Sequence, residues 1–297
     1  MIREVEAESE IETFLAIRAA VDPAHPMTRE AWDAERETAG RLDVVDWRGD
    51  EAVGCAFAER MYGDPASPIG WVSVRVLGEH RRRGRGTALL RRVSEHVRSF
   101  GGTSLYSGTA STAIDMLGFL DHHRFEEVGR MQDVELELAA ADATFTVPEG
   151  IQIVPLTEEL DVGAHAVALE ADPDIPTPSP IVTGDLARWR ERNLDALAER
   201  RLSFVALARG EVVGFAILDR AVPGVLEHYM TGISRDFRGR GIAQALKRAQ
   251  ISAAKAAGYE RLRTQNDLAN APMRAVNERL GYRSRLEWVH FQGPLLD

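Results

Sequence analysis

The sequence predicts an α/β (α+β) protein that consists of two tandem copies of one fold, each a sheet flanked by helices. The length of 297 residues suits two domains of ordinary size. An Arg-Gly-rich segment occurs twice, at 81–89 and at 238–246. The order of apolar runs and helical patterns around this segment is the same in both halves, which indicates that the halves fold alike.

The repeat keeps one spacing beyond the Arg-Gly segment itself. Arg81 and Arg238 are 157 positions apart, and Phe125 and Tyr282 are separated by the same 157 positions. Because self-similarity at a constant spacing is the mark of a duplicated unit, the chain is predicted to contain two copies of one domain.

Both halves predict the same order of secondary structure. A β-hairpin comes first, since two apolar runs flank a short polar turn. A strand, the Arg-Gly segment and an amphipathic helix follow, and a glycine ends the helix. The hairpins are 42–58 and 203–218, the next strands 71–76 and 226–233, the helix stops Gly101 and Gly258, and the later strands 103–107 and 261–264. A change of composition near Pro148 gives predicted domains 1–140 and 150–297.

Composition and charge exclude several classes of protein. The 44% hydrophobic and 28% charged residues are typical of a soluble globular chain, and no apolar run approaches the ~20 residues of a membrane helix. The formal charge of −10 argues against general nucleic-acid binding, which needs basic surfaces. Cys55 is the single cysteine, so neither an intramolecular disulfide nor a cysteine metal cluster is expected. We expect a cytoplasmic protein.

The Arg-Gly segment predicts an anion-binding loop. A glycine-rich turn that leads from a strand into a helix presents backbone N–H groups without intrahelical partners, and the helix dipole favours negative charge there. Phosphate or pyrophosphate is the natural ligand. The spacing fits neither a P-loop nor a dinucleotide-binding fingerprint. A solvated arginine-rich turn before a helix is the simpler alternative.

In both copies the segment resembles the Arg-x-x-Gly-x-Gly/Ala pyrophosphate loop of the GCN5-related N-acetyltransferase (GNAT) family. The matching residues are Arg81, Gly84 and Gly86 in the first copy and Arg238, Gly241 and Ala243 in the second. Leu280-Gly281-Tyr282 resembles the family's Leu-Gly-Phe/Tyr ending, and His123-Arg124-Phe125 is a degraded version. The resemblance covers nearly the whole chain, twice, in a layout similar to mycothiol synthase-type double-GNAT proteins.

The resemblance implies a mixed, mostly antiparallel sheet that is splayed at its centre, with the pantetheine arm of acetyl-CoA in the splay. It also implies that an amine attacks the thioester directly, without an acyl-enzyme. The acetyl-CoA-binding residues that it implies are Ile233, Arg238, Gly239, Arg240, Gly241, Ile242, Ala243, Asn266 and Asn270 in the second copy, and Val76, Arg81, Gly84, Arg85, Gly86 and Thr87 in the first. For Asn266 and Asn270, helix capping is an equal alternative.

Catalysis is predicted in the second copy, because the two copies differ in residues that can accept a proton. Acetyl transfer to an ammonium requires a base, and several GNAT proteins hold a glutamate in the strand before the pyrophosphate loop. Glu227 lies in that strand and is the first candidate; His228 is the second, with a structural hydrogen bond as its alternative. At the 157 spacing the first copy has Gly70 in place of Glu227. Strand alternation predicts that one face carries Glu227, Tyr229, Thr231 and Ile233.

The position of the family's general acid departs from the GNAT pattern. Many GNAT proteins have a tyrosine four residues before the glycine of the Leu-Gly-Phe ending, which protonates the CoA thiolate. This chain has Asn277 there, and Leu120 in the first copy. An asparagine can hydrogen-bond the sulfur but is no effective proton donor, so Tyr229 or solvent remains as the acid.

The acceptor predicted for the second copy is a primary amine of a small molecule. In GNAT proteins the segment after the first strand forms the acceptor site, which corresponds here to 162–189. Its prolines predict an ordered loop at 172–180, where Asp172 and Asp174 can attract a cationic amine, or simply belong to a solvated turn. There are two alternatives. The protein responds to CoA without turnover, or it acetylates an amine of a protein or peptide. We expect a monomer or homodimer, and no metal, nucleic-acid or membrane partner.

Overall fold

The chain forms two compact units in the computed structural model, which describes residues 1–23, 26–144, 146–176, 181–194 and 198–297. Unit 1 contains Met1–Val128 and Trp288–Asp297, and unit 2 contains Gly129–Glu287. Each unit has its own series of paired strands, which we call its sheet, and its own hydrophobic clusters, as the duplicated sequence predicts.

Strands and helices follow one another in the order that both halves of the sequence predict. The strands are β1 (Ile2–Glu4), β2 (Leu42–Arg48), β3 (Glu51–Arg60), β4 (Ile69–Val76), β5 (Ser104–Ala110), β6 (Glu126–Glu137), β7 (Ile151–Pro155), β8 (Phe204–Ala208), β9 (Glu211–Val222), β10 (Val225–Ile233), β11 (Arg261–Asp267) and β12 (Arg283–Gly293). The helices are α1 (Glu8–Val21), α2 (Arg29–Glu35), α3 (Arg85–Ser99), α4 (Ile114–His122), α5 (Asp161–Ala171), α6 (Leu186–Asn193), α7 (Ile242–Ala256) and α8 (Ala271–Arg279).

The two sheets have the same topology. The strand order is β1-β2-β3-β4-β5-β12 in unit 1 and β7-β8-β9-β10-β11-β6 in unit 2. The pairs β4–β5 and β10–β11 are parallel, whereas the other pairs within these two series are antiparallel. The mixed, mostly antiparallel fold class is therefore confirmed.

Two strands pass from one unit to the other. The first residues of β6 belong to unit 1, and from Gly129 onward the strand belongs to unit 2, where it pairs with β11. Conversely, β12 enters unit 1 at Trp288 and pairs there with β5. Each half of the sequence thus supplies the last strand of the other half's sheet, so the compact units differ from the contiguous segments 1–140 and 150–297.

Each sheet opens along its parallel pair. β4 and β5 pair from Ile69 to Trp71 and then diverge, while β4 continues to Val76. β10 and β11 pair from Val225 to Glu227 and diverge in the same way. We call these openings the splays of unit 1 and unit 2. They occur at the centre of each sheet, as the resemblance implies.

Helices cover both faces of each sheet. In unit 1, α3 packs through Leu90 and Val93 against β4, and α1 packs through Phe14 on the opposite face, where Phe57 of β3 lies. Unit 2 uses α7 and α5 in the same way, with Trp189 of α6 in the α5 cluster. The hydrophobic stripes of α3 and α7 therefore fix the direction in which the Arg-Gly loops leave β4 and β10.

Strand β10 contains one residue more than β4. Trp71 and Ser73 of β4 face two positions of β3 that are two residues apart. The corresponding residues of β10 are Glu227 and Met230. They are three residues apart in the sequence, but the β9 residues that they face are only two residues apart. The register therefore shifts at Tyr229, which forms a β-bulge that unit 1 lacks within its described strands β3 and β4.

Candidate functional site

Each Arg-Gly loop ends in a glycine that starts a helix. Gly84 is the N-cap of α3 with φ +77°, and Gly241 is the N-cap of α7 with φ +79°. This left-handed conformation suits glycine, and the first N–H groups of each helix have no intrahelical partner. Neither helix has an acidic residue in its first turn, so the helix dipole can favour an anion there.

The loop arginines have the same contacts in both units. Arg81 Nε donates to the Val76 carbonyl and Arg238 Nε donates to the Ile233 carbonyl, each at 3.0 Å. Each side chain thereby fastens the loop to the last residue of the preceding strand. The repeat predicted from the sequence is reproduced at the level of single hydrogen bonds.

Both arginines also contact a carboxylate. Arg81 Nη1 lies 3.0 Å from Asp115 Oδ2, and Arg238 Nη1 lies 2.7 Å from Asp174 Oδ2. Asp174 additionally accepts from Arg235 at 2.8 and 2.9 Å, and the two arginines lower the pKa of its carboxyl. Asp174 therefore balances the positive charge of the Arg-Gly loop of unit 2. The prediction that it attracts a cationic amine is not supported by these contacts.

The other loop residues divide into exposed and anchored groups. Arg240 is exposed, donates to the Asp236 carbonyl at 2.6 Å and lies 4.9 Å from the Phe237 ring centre. Gly239 has φ +73°, whereas Arg82 of unit 1 adopts φ +58° at the same loop position. Ile242 is buried in the α7 cluster. Ala243 is half-buried.

In unit 1 two further predicted cofactor residues contact other side chains. Arg85 Nη1 lies 3.1 Å from the buried carboxylate of Asp46, and Thr87 Oγ1 lies 3.1 Å from His123 Nε2. A side chain at Gly86 would approach the ring of Phe119 to 3.0 Å. At Gly84, by contrast, an added Cβ would meet no atom within 4 Å among the described residues. The unit 1 loop is therefore open at Gly84 but closely packed at the residues that follow it.

The bulge at Tyr229 changes how the two copies correspond in the strand before the loop. Glu227 pairs with Arg263 of β11, and the residue at that place in unit 1 is Trp71, which pairs with Tyr106. The 157 spacing, which assigns Gly70 to Glu227, is wrong on the N-terminal side of the bulge. Unit 1 still lacks a carboxylate here, because tryptophan occupies the position.

The bulge also breaks the predicted alternation. His228 contacts Gln250 of α7, and five residues later Ile233 packs in the same α7 cluster as Leu246. Met230 packs in the α5 cluster on the opposite face. Glu227, which neighbours His228, therefore does not share a face with Ile233, and that prediction is wrong. Tyr229 is 41% exposed at the bulge.

His228 belongs to a buried hydrogen-bond chain. Its Nδ1 lies 3.0 Å from Gln250 Oε1, and its Nε2 contacts the Tyr282 hydroxyl. The assignment that satisfies both contacts has Nδ1–H donating to Gln250 and the Tyr282 hydroxyl donating to Nε2. Burial lowers the pKa of His228 and raises that of Tyr282, so both are neutral. The structural alternative for His228 fits this arrangement.

A second buried polar group joins α7, α8 and β11. Lys247 of α7 is 1% exposed, and its Nζ donates to Asn277 Oδ1 at 3.0 Å. Asn277 Nδ2 in turn donates to Asn266 Oδ1. Asn266 and Asn277 line a small cavity together with Gln132, Val134, Arg274, Glu278 and Tyr282. We call Lys247, Asn277, Asn266, His228, Gln250 and Tyr282 the polar cluster of unit 2.

Unit 1 has almost no polar counterpart to this cluster. The five positions that correspond to Lys247, Gln250, Asn277, Tyr282 and His228 hold apolar side chains, and Asn266 corresponds to Thr109. The apolar residues all belong to one hydrophobic cluster of unit 1, and they are Leu90, Val93, Leu120, Phe125 and Val72. The two units therefore share a fold but differ in the chemistry of the core beside the splay.

The polar cluster contains two residues that the sequence analysis did not single out. Lys247 and Gln250 lie on the helix predicted from apolar periodicity, at the places where the first copy has Leu90 and Val93. A comparison of the two copies, position by position, would have revealed a lysine and a glutamine inside an otherwise apolar stripe.

The remaining sequence-predicted residues have structural contacts. Asn270 caps α8, since its Oδ1 accepts from the Met273 N–H at 3.3 Å. Asp172 is buried, and its Oδ2 accepts from Thr183 Oγ1 at 2.9 Å; burial raises the pKa of this carboxyl. Of the predicted loop 172–180, residues 177–180 lie outside the described residues, and the part that precedes them begins with a single helical turn at Asp172–Asp174.

Family comparison adds to this geometry. The model of the acetyltransferase (GNAT) family matches residues 6–123 and 168–282, one range in each copy. The chain belongs to the GNAT family. It is thus an acyltransferase of a family that in general transfers acetyl groups from acetyl-CoA to an acceptor. No curated protein matches the chain in sequence.

Solved structures share the tandem fold. A GCN5-related N-acetyltransferase from Sphaerobacter thermophilus is 20% identical with a TM-score of 0.79, and the match covers 100% of this chain and 96% of that one. A tandem GNAT protein from the clavulanic acid biosynthesis pathway is 18% identical with a TM-score of 0.81, covering 100% and 99%. A glucosamine N-acetyltransferase region of a fungal multi-domain β-N-acetylglucosaminidase is 13% identical with a TM-score of 0.77, covering 98% and 38%. At these identities the likeness concerns the fold.

Metal-binding groups and membrane-spanning helices were both sought among the described residues. These residues contain no group of three or more His, Cys, Asp or Glu side chains arranged to hold a metal ion. Among the helices of the described ranges, none combines the length and the apolar character that crossing a bilayer requires.

Proposed function

We propose that this GNAT protein is an acetyl-CoA-dependent N-acetyltransferase that transfers an acetyl group directly to a primary amine of a small molecule in unit 2, and that unit 1 binds CoA without turnover. The observation that carries this assignment is the polar cluster beside the splay of unit 2, where unit 1 has apolar residues. A buried ammonium without a charged partner costs free energy, so the retention of Lys247 and its polar neighbours in one copy supports a chemical role there.

Both Arg-Gly loops fit the pyrophosphate of CoA. Gly84 and Gly241 begin helices whose first backbone N–H groups have no intrahelical partner, and Arg81 and Arg238 bring positive charge to the same loops. The carboxylates of Asp115 and Asp174 already contact those arginines, so a bound pyrophosphate competes with them. We include both loops in the proposal for this reason, although the two differ in packing.

Acetyl-CoA supplies an acetyl group that is activated as a thioester. In the proposed mechanism Glu227 accepts the proton of the substrate ammonium, directly or through water, so that the neutral amine can attack. Asn277 hydrogen-bonds the sulfur, and Tyr229 or solvent protonates the thiolate. Glu227 and Tyr229 both lie where the pairing of β10 with β11 ends, and this position supports the proposed roles.

Two matched substitutions test which unit is catalytic. Gly241→Trp puts a bulky side chain at φ +79° in front of the helix that would hold the pyrophosphate in unit 2, and Gly84→Trp does the same at φ +77° in unit 1. We expect Gly241→Trp to abolish acetyl transfer and Gly84→Trp to leave most of it. The measurement is CoA release from acetyl-CoA with a panel of amines that includes glucosamine, spermidine, tyramine and a peptide N-terminus.

The outcomes separate the candidate functions. Loss of transfer in Gly84→Trp with transfer retained in Gly241→Trp contradicts the assignment to unit 2. Calorimetric binding of acetyl-CoA without turnover of any amine favours a CoA-responsive protein. Turnover with the peptide alone favours a protein or peptide acetyltransferase.

A further inference from the structure

Lys247 lies inside the core of unit 2, at a place where unit 1 has Leu90. It is 1% exposed, its Nζ donates to Asn277 Oδ1 at 3.0 Å, and the ring centre of Tyr282 lies 5.8 Å from Nζ. A buried ammonium is costly, and leucine at this position would pack without that cost, as Leu90 does in unit 1. The lysine therefore needs a reason beyond folding.

The groups that face Lys247 are polar but do not offset its charge. His228 on β10 is neutral and would be repelled if protonated, Gln250 lies on α7 itself, and Asn277 on α8 presents its amide oxygen. Tyr282 presents its ring. Burial lowers the pKa of Lys247 to about 7. Near neutral pH the Lys247 side chain can thus exist as the ammonium or as the neutral amine. A negative charge nearby would favour the ammonium.

The contact of Lys247 with Asn277 connects it to the splay. Asn277 and Asn266 line the small cavity, with Arg274 and Glu278 of α8 and with Gln132 and Val134 of β6. Asn266 lies on β11 three residues beyond Arg263, where the pairing of β10 with β11 ends. The amide of Asn277 thus lies between the buried ammonium and the opened part of the sheet.

We propose that Lys247, acting through Asn277, supplies the positive charge that stabilises the CoA thiolate as it leaves in unit 2. This rests on the proposed function, since it requires acetyl-CoA in that splay. Lys247 Nζ holds Asn277 by its oxygen and polarises the amide, so that the Nδ2–H group becomes a stronger donor. Lys247 is therefore a positioning and electrostatic residue.

The step is balanced without proton transfer from Lys247. The amine nitrogen forms the new C–N bond, and the C–S bond breaks with its electron pair on sulfur. The substrate ammonium gives one proton to the base or to water before attack, and the nitrogen loses a second proton to water once the C–N bond has formed. The thiolate then takes a proton from solvent, or from Tyr229, which solvent reprotonates. Lys247 keeps its proton throughout, and its charge lowers the energy of the thiolate.

The first test uses CoA itself and needs no acceptor. In the Gly84→Trp background, so that unit 2 gives the signal, the ultraviolet absorbance of the thiolate is followed against pH for bound CoA. A nearby cation lowers the pKa of a thiol. We expect the thiol pKa of bound CoA to be lower with Lys247 than in Lys247→Leu by about one unit or more. Lys255→Leu is the matched control, because Lys255 lies exposed on the same helix and should leave the value unchanged.

The second test is the pH profile of transfer to an amine that the panel identifies. We expect kcat in the parent to fall as pH rises through the pKa of Lys247, and Lys247→Leu to have a kcat about 10–100-fold lower, without this falling limb. If Lys247→Leu fails to fold, Lys247→Leu/Asn277→Leu reproduces the Leu90 and Leu120 pair of unit 1 and serves instead.

The outcomes distinguish the two proposals. Equal thiol pKa values in the parent and the Lys247 variant, or an unchanged pH profile, overturn the role of Lys247 and leave the proposed function intact. A parent protein whose unit 2 does not bind CoA overturns both.

Discussion

Glu227 and Tyr229 show how one inserted residue changes the interpretation of a strand. The bulge at Tyr229 moves Glu227 out of register with Gly70 and aligns it with Trp71. It also turns the residues that follow to the opposite faces, so that Ile233 packs against α7. A bulge next to a splay re-aims side chains, which is the usual consequence of bulges beside functional sites.

The role of Glu227 is testable by a change that keeps its size. Glu227→Gln removes the basic oxygen, and we expect kcat/KM for amine acetylation to fall about 100-fold, with loss of the acidic limb of the pH profile that reports the base. Trp71→Phe is the control at the matching place in unit 1 and should leave transfer unchanged. A Glu227→Gln protein with the parent's kcat/KM and pH profile would remove Glu227 from the mechanism.

Helices α3 and α7 are the same element with different cores. Leu90 and Val93 of α3 pack in the apolar cluster of unit 1, whereas Lys247 and Gln250 of α7 form the polar cluster of unit 2. The backbone tolerates both solutions, because the two helices begin at equivalent glycines and cover equivalent faces. If Lys247 has the proposed role, function and stability oppose each other in α7.

The cost of the polar solution can be measured. Lys247→Leu/Asn277→Leu replaces a buried polar pair with the apolar pair of unit 1. We expect the free energy of opening unit 2 to be unchanged or about 1–4 kcal/mol higher at pH 7, as found for other buried polar pairs. Hydrogen–deuterium exchange of α7 and β11 reports this opening, and α3 is the internal reference. Faster exchange in the double variant would contradict the expectation.

The same pair predicts how stability depends on pH. Because burial lowers the pKa of Lys247 to about 7 from an unfolded value near ~10.4, the unfolded chain binds the proton first as pH falls. The stability of unit 2 in the parent should therefore decrease as the pH is lowered from about 10 to 7. The double variant should lack this part of the slope, measured by exchange of the same α7 segment, and an identical slope in both proteins would argue against it.

At the scale of the whole molecule, the exchanged strands decide which segments can fold. Residues of β6 from Met131 to Glu137 pair with β11 in unit 2, and residues of β12 from Trp288 to Gly293 pair with β5 in unit 1. A segment cut at the sequence repeat loses one of these strands. Its sheet then ends in an unpaired edge beside the splay.

Expression of fragments tests this organisation. We expect 150–297 to be unfolded or aggregated, because it lacks β6, whereas 129–287 contains all the strands of unit 2 and should fold. Far-ultraviolet circular dichroism and size-exclusion chromatography give the answer. Cooperative folding of 150–297 with the stability of 129–287 would show that β6 contributes little to unit 2.

The sequence by itself determined the duplicated fold and the strand–loop–helix order around the two Arg-Gly segments. Periodicity and the Arg-Gly segment carry this information locally, since a strand, a left-handed glycine and an amphipathic helix follow from neighbouring residues. Gly84 and Gly241 begin their helices as predicted. The resemblance carried by the same residues led to the family that the comparison confirms.

Only the tertiary structure decided the bulge, the exchanged strands and the partners of the polar cluster. These depend on pairing between residues that are far apart in the chain, which alternation along one strand does not encode. Asp174 shows the same limit, because it contacts Arg238, which is 64 positions away in the sequence. The carboxylate that was considered for amine binding is a partner of the loop arginine. Lys247 is visible in the sequence as a lysine in an apolar stripe, but its contact with Asn277 exists only once α7 and α8 pack together.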